Sequence, residues 1–130
     1  MRLSIAAITG LLGAALMLTA PGATLYAADG EPPYEASLLR LAEILGALHY
    51  LRPLCGADEA TTWRDEMEAL LAAEEPPPER KARLVTEFNR GYSSFATLYR
   101  NCTPAAITAI ERYVEEGGRL TREIATRYGR

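Results

Sequence analysis

From about residue 34 onward, apolar positions recur at alternating steps of three and four, and each run ends at a helix stop or start signal. Leu38, Leu41, Leu45, Leu48 and Leu51 share one face of a helix from about Tyr34 to Arg52. Pro53 is expected to stop it, since its ring cannot coexist with continued helical hydrogen bonding. Trp63, Met67, Leu70 and Leu71 mark a second helix, capped by Asp58 or Thr61 and ending near Ala73. The Glu74-Glu75-Pro76-Pro77-Pro78 segment breaks the chain, and Pro78 suits the first turn of a third helix reaching about Arg100. Its inward face should carry Val85, Phe88, Tyr92, Phe95, Tyr99 and Cys102, with Leu84 and Leu98 beside them. Thr103 and Pro104 form a cap and first residue for a fourth helix, marked by Ile107, Ile110, Val114, Leu120 and Ile124 and running to about Tyr128. Arg112 with Glu116, Arg119 with Glu123, and Glu123 with Arg127 sit four apart and read as a solvated face. No alternating run of strand length occurs, so the fold class is all-α, a small antiparallel four-helix bundle.

The start of the chain follows a different pattern. Arg2 precedes an apolar run from Leu3 to Ala20, and Leu25-Tyr26-Ala27 offers a processing site, so residues 1–27 read as an export signal cleaved near Ala27. A retained N-terminal membrane anchor is the alternative, because a run of about 18 residues is near the lower limit for spanning a bilayer. Gly10, Gly13 and the Pro21-Gly22 break favour cleavage, after which no stable membrane span is expected. Residues 28–34 form a polar, proline-bearing lead, expected to be mobile or extended, and residues 35–130 the helical domain. Without Arg2 the chain holds 13 basic against 17 acidic residues, a net charge of −4. That balance lacks the concentrated basic face of a nucleic-acid binder.

Two cysteines in an exported chain point to one disulfide, Cys55 to Cys102, with free or metal-binding thiols as the alternative. The bundle supports the pairing: helices one and three run the same way, and each cysteine lies just past the end of one of them. Gly46, Gly91 and Gly117 stand inside helices where alanine would be more stable by about 1 kcal/mol. They indicate close helix contact or room for an aromatic ring, against the alternative of a ligand cavity in the bundle.

Chemistry-bearing residues are sparse. His49 is the only histidine and the possible titrating residue near neutrality, on the shoulder of the first apolar stripe. Alone it offers no zinc or copper spacing, so no tight site for either metal is expected, while a carboxylate-only site stays open; the expectation is no metal and no cofactor. No nucleophile elbow, phosphate loop or dinucleotide fingerprint occurs. Asn89-Arg90-Gly91-Tyr92 interrupts the aromatic third helix; with Arg52, Trp63 and Arg64 it could form an arginine-rich patch with aromatic walls, suited to a carboxylate or phosphate. The plainer alternative pairs these arginines with Glu43, Glu66 and Glu87.

The run Arg40-Leu41-Ala42-Glu43-Ile44-Leu45-Gly46-Ala47-Leu48-His49-Tyr50-Leu51-Arg52-Pro53-Leu54-Cys55-Gly56, followed by Trp63-Arg64, Phe88-Asn89-Arg90-Gly91-Tyr92 and Cys102-Thr103, resembles a family of small exported alphaproteobacterial proteins classed as a domain of unknown function. The resemblance covers essentially the whole mature chain and implies an exported, periplasmic protein with no activity to carry over. The expected function is a non-enzymatic binding or interaction module of the cell envelope, binding another envelope protein or a cell-wall component through Arg52, Trp63, Arg64, Asn89 and Arg90. Two alternatives stand beside it: an envelope-acting hydrolase using His49 with Glu43 or Glu66 as acid and base, and a small-molecule binder with a cavity beside Gly46 and Gly91.

Overall fold

The structure, a computed structural model, describes residues 30–129. Four helices follow one another: α1 (Glu35–Leu54), α2 (Thr62–Glu74), α3 (Pro78–Ala96) and α4 (Pro104–Tyr128). The described residues form an all-α bundle with a Cys55–Cys102 disulfide, Cα to Cα 4.9 Å. The export segment and its anchor alternative lie outside the described residues. Among those described, no helix is long and apolar enough to cross a membrane.

The bundle is organised around α1. Leu38, Ala42, Ile44, Leu45, Gly46, Ala47, Leu48 and Leu51 are all buried, and they point in several directions around the helix. An all-round apolar helix is one that neighbours cover on more than one side, and α2, α3 and α4 each pack on α1 rather than chiefly on one another. Two apolar clusters result. Leu48, Leu51, Ile110 and Leu120 fill one, Leu38, Leu45, Met67 and Leu84 the other, and Trp63 borders both.

The α1–α3 seam is the closest. A Cβ built on Gly46 would lie 2.7 Å from the Phe88 carbonyl carbon, and one on Gly91 would lie 2.9 Å from that of Glu43. The two backbones therefore touch through reciprocal glycines, and close helix contact is what these residues secure, in place of a cavity. Gly117 brings α4 against the Ile44 side chain in a looser version of the same contact, 3.3 Å from a built Cβ.

The glycine seam also turns α3 away from the expected orientation. Arg80, Leu84 and Gly91 are its buried residues, while Val85, Tyr92 and Cys102 are exposed and Leu98 is 72 % exposed. Once Gly91 is the point of contact, Val85 and Tyr92 fall on the shoulders of the helix. A similar rotation applies to α4, where Ala106, Ile110, Gly117 and Leu120 face inward and Ile107 and Val114 do not.

Helix ends differ in part from expectation. Pro53 lies inside the last turn of α1 and does not stop it at Arg52. The missing amide forfeits a single bond, and the next turn still closes from Cys55 N–H to the Leu51 carbonyl, 3.0 Å. The third helix ends at Ala96, short of Arg100: the Thr97 hydroxyl donates to the Ser93 carbonyl, and Leu98 and Tyr99 N–H both turn back to Phe95. Thr61 occupies the cap position of α2 without a side-chain capping bond, whereas Thr103 accepts from Ala106 N–H at 3.1 Å and Pro104 opens α4 as expected. Glu116 does not serve as an exposed partner of Arg112; its carboxylate takes two hydrogen bonds of 2.8 Å from Arg40 of α1, which also lies over the Tyr113 ring. Arg119 and Arg127 do pair with Glu123.

Candidate functional site

Because α2 and α4 each pack on α1 without closing on each other, an apolar groove runs between them. Two clefts of about 320 and 310 Å³ are contiguous through Leu41, Leu45, Glu66 and Thr121. Leucines of α1 form the floor. The α2 wall presents Thr62, Glu66, Ala69, Leu70, Ala73 and Glu74, and the α4 wall presents Tyr113, Val114, Gly117, Gly118, Thr121, Ile124 and Ala125. Val114, Gly118, Thr121 and Ala125 lie close to one line along α4 at helical spacing. Both walls thus mix small side chains with larger ones, and the groove is about three helical turns long.

Trp63, the only tryptophan, lines the groove at the start of α2, and a short polar cluster fixes it. Arg52 Nε and Nη2 donate to Glu59 at 2.9 and 2.5 Å, and Trp63 Nε1 donates to Glu59 Oε2 at 2.7 Å. The paired Arg52 guanidinium, aided by the indole, holds the Glu59 carboxyl down at about 2. Glu59 is the residue that sequence reasoning missed. It lies in an irregular stretch, where no periodicity signals its partners.

The five residues expected to form one surface do not meet in one place. Arg52 and Trp63 are joined through Glu59. Arg64 is exposed on α2 and is felt electrostatically by His49. Asn89 is exposed, and Arg90, on another side of α3, pairs with Glu87 at 2.5 Å and Glu43 at 3.3 Å. Those two pairings are the ones the plainer alternative names, whereas Glu66, in the groove wall, has no ion-pair partner among the described residues.

His49 lies between α1 and α3 with its ring 5.7 Å from Phe88 and 5.5 Å from Tyr92, and its Nδ1 is buried with no hydrogen-bond partner among the described residues. No hydrogen bond or ion pair joins it to Glu43 or Glu66, so the acid–base pair that hydrolysis requires is not assembled. Desolvation, and then the Arg64 charge, push the imidazole below its ordinary value. Below about pH 6.5 the unfolded chain takes up a proton that the folded chain resists. Stability is therefore expected to fall as pH drops from about 6.5, and His49→Gln should remove that part of the slope. Urea unfolding of both proteins from pH 8 to 5 tests this; parallel stability curves would contradict it. Among the described residues, no group of three or more His, Cys, Asp or Glu side chains is placed to hold a metal ion.

No curated protein and no solved structure matches the chain. The family described as "Protein of unknown function (DUF2385)" matches residues 33–128, a span holding all four helices, both cysteines and both walls of the groove. The chain belongs to that family.

Proposed function

We propose that the protein is an exported, periplasmic binding module that docks a helical segment of another envelope protein in the groove between α2 and α4. The observation that carries this is the groove itself: a floor of α1 leucines between two walls that mix small and larger residues, open to solvent along about three turns. The small positions Ala69, Ala73, Gly117 and Gly118 let a helix approach the floor closely. Glu66, which belongs to both clefts and has no ion-pair partner among the described residues, calls for one basic residue on the incoming helix. Trp63, held by Arg52 through Glu59, supplies an aromatic anchor at one end. The expected surface thus narrows to Arg52 and Trp63 and extends along the groove. Arg64, Asn89 and Arg90 lie outside it. Export is supported by the disulfide, which persists in oxidising compartments, and by the apolar run at residues 3–20.

A displayed library of helical peptides, selected on the purified protein and followed by Trp63 fluorescence, tests the proposal. Enriched peptides should carry a face of small apolar residues and one Lys or Arg. Val114→Asp should weaken them about tenfold or more, and Glu66→Gln should weaken those with the basic residue. Affinity indifferent to Val114→Asp would refute the groove. Self-association abolished by Val114→Asp would make a second copy the occupant and refute the envelope partner.

A further inference from the structure

The opposite flank of α4 carries a second cleft, of different chemistry. It has a volume of about 550 Å³, within the range of small-molecule sites, and lies between the end of α3 and the first turns of α4. Phe95, Tyr99 and Tyr113 line it together with Arg40 and Arg112, and no Asp or Glu does, although acids outnumber bases in the chain, 17 to 14.

The rings hold one another in place. Phe95 stacks on Tyr99 with centroids 6.1 Å apart and meets Tyr113 edge-on at 5.5 Å. Tyr99 is fixed from behind as well, because its carbonyl accepts from the Tyr50 hydroxyl. Arg40 is held by two acids: Nε and Nη2 bind Glu116, Nη1 lies 3.0 Å from Glu43, and the guanidinium covers Tyr113. It secures a ring, with three of its five N–H donors committed to Glu116 and Glu43. Arg112 is exposed and makes no hydrogen bond or ion pair among the described residues, and the hydroxyls of Tyr99 and Tyr113 likewise bond to no described residue. The cleft is therefore lined by aromatic rings fixed against one another and by one guanidinium that acts on Glu116 through its charge but forms no ion pair among the described residues.

We propose that this cleft binds a small ligand bearing a carboxylate on a ring, the ring lying against Tyr99 and Tyr113 and the carboxylate pairing with Arg112. A planar guanidinium matches a carboxylate in two-point geometry, and aromatic faces accept either an aromatic ring or the C–H face of a sugar. The site borders the groove at Tyr113, which lines both, while Arg112 and Tyr99 line this cleft alone and Val114 and Gly118 the groove alone.

Titration of the purified protein with benzoate, glucuronate and inorganic phosphate, read by calorimetry, tests the site. At least one ring acid should bind saturably with Kd below about 1 mM. Benzoate binding tighter identifies an aromatic acid as the class, and glucuronate binding tighter a sugar acid. Arg112→Gln should weaken the tighter acid about tenfold and leave the thermal midpoint unchanged; Tyr99→Leu should weaken it too. Absence of saturable binding by either acid, indifference to Arg112→Gln, or phosphate binding as tightly as both acids would overturn the proposal.

Discussion

Replacing Arg80 by alanine is expected to lower stability by about 3–5 kcal/mol, the range for a buried ion pair that loses one partner. Glu35, the first residue of α1, is 5 % exposed and Arg80 is 7 % exposed. Arg80 Nε and Nη2 donate to Glu35 Oε2 at 3.0 and 2.6 Å, and Nη2 lies 3.5 Å from Glu74 Oε2. Tyr34 donates to Glu74, so one guanidinium ties the start of α1, the end of α2 and the start of α3 at one end of the bundle. Without it, two acids face each other across a nearly dry gap. Arg83 does not replace it: it is half-exposed, pairs with Glu31, and lies 3.9 Å from the other Glu35 oxygen. The double variant Glu35→Leu, Arg80→Leu, which removes both charges, should recover most of the loss. Urea unfolding of the three proteins checks this, and a loss under about 1 kcal/mol for Arg80→Ala would show that the pair is not buried in solution.

That corner shows what one sequence can and cannot reveal. The helices were legible because leucines at steps of three and four, prolines at helix starts and Thr103 carry local signals, each acting within one or two turns. Which face of α3 and α4 turns inward was not, because a glycine seam with no side chains decides it; Gly46 and Gly91 outrank Val85 and Tyr92 where backbones touch. Likewise, Glu35 and Arg80 stand 45 positions apart and look like ordinary surface charges. Of the candidate surface, Arg52 and Trp63 do converge, but through Glu59 in a loop. The groove left no mark in the sequence, since it is a space between helices, and Val114 reads as core until no neighbour covers it.

The disulfide should be worth about as much as the buried pair, and for a different reason. Cys55 caps the end of α1, Cys102 directly precedes the Thr103 cap of α4, and 47 positions separate them. Closing a loop of that length removes conformations from the unfolded chain worth about 4 kcal/mol in the chain-entropy account. The folded state should change little. Tyr50 still holds the Tyr99 carbonyl, and Leu51 still packs with Ala106 and Ile110, so the ends of α1 and α3 and the start of α4 stay together without the bond. The Cys55→Ser, Cys102→Ser variant is therefore expected to unfold at lower denaturant with a loss of about 4 kcal/mol, while Trp63 fluorescence in the native state stays at its wild-type position. A larger unfolded-state surface should also steepen its denaturant dependence, because an uncrosslinked chain exposes more on unfolding. Native fluorescence that shifts along with stability would mean that the bond shapes the Arg52–Glu59–Trp63 corner directly. A loss below about 1 kcal/mol would mean that Tyr50 and the apolar cluster already confine this end of the bundle when the chain is unfolded.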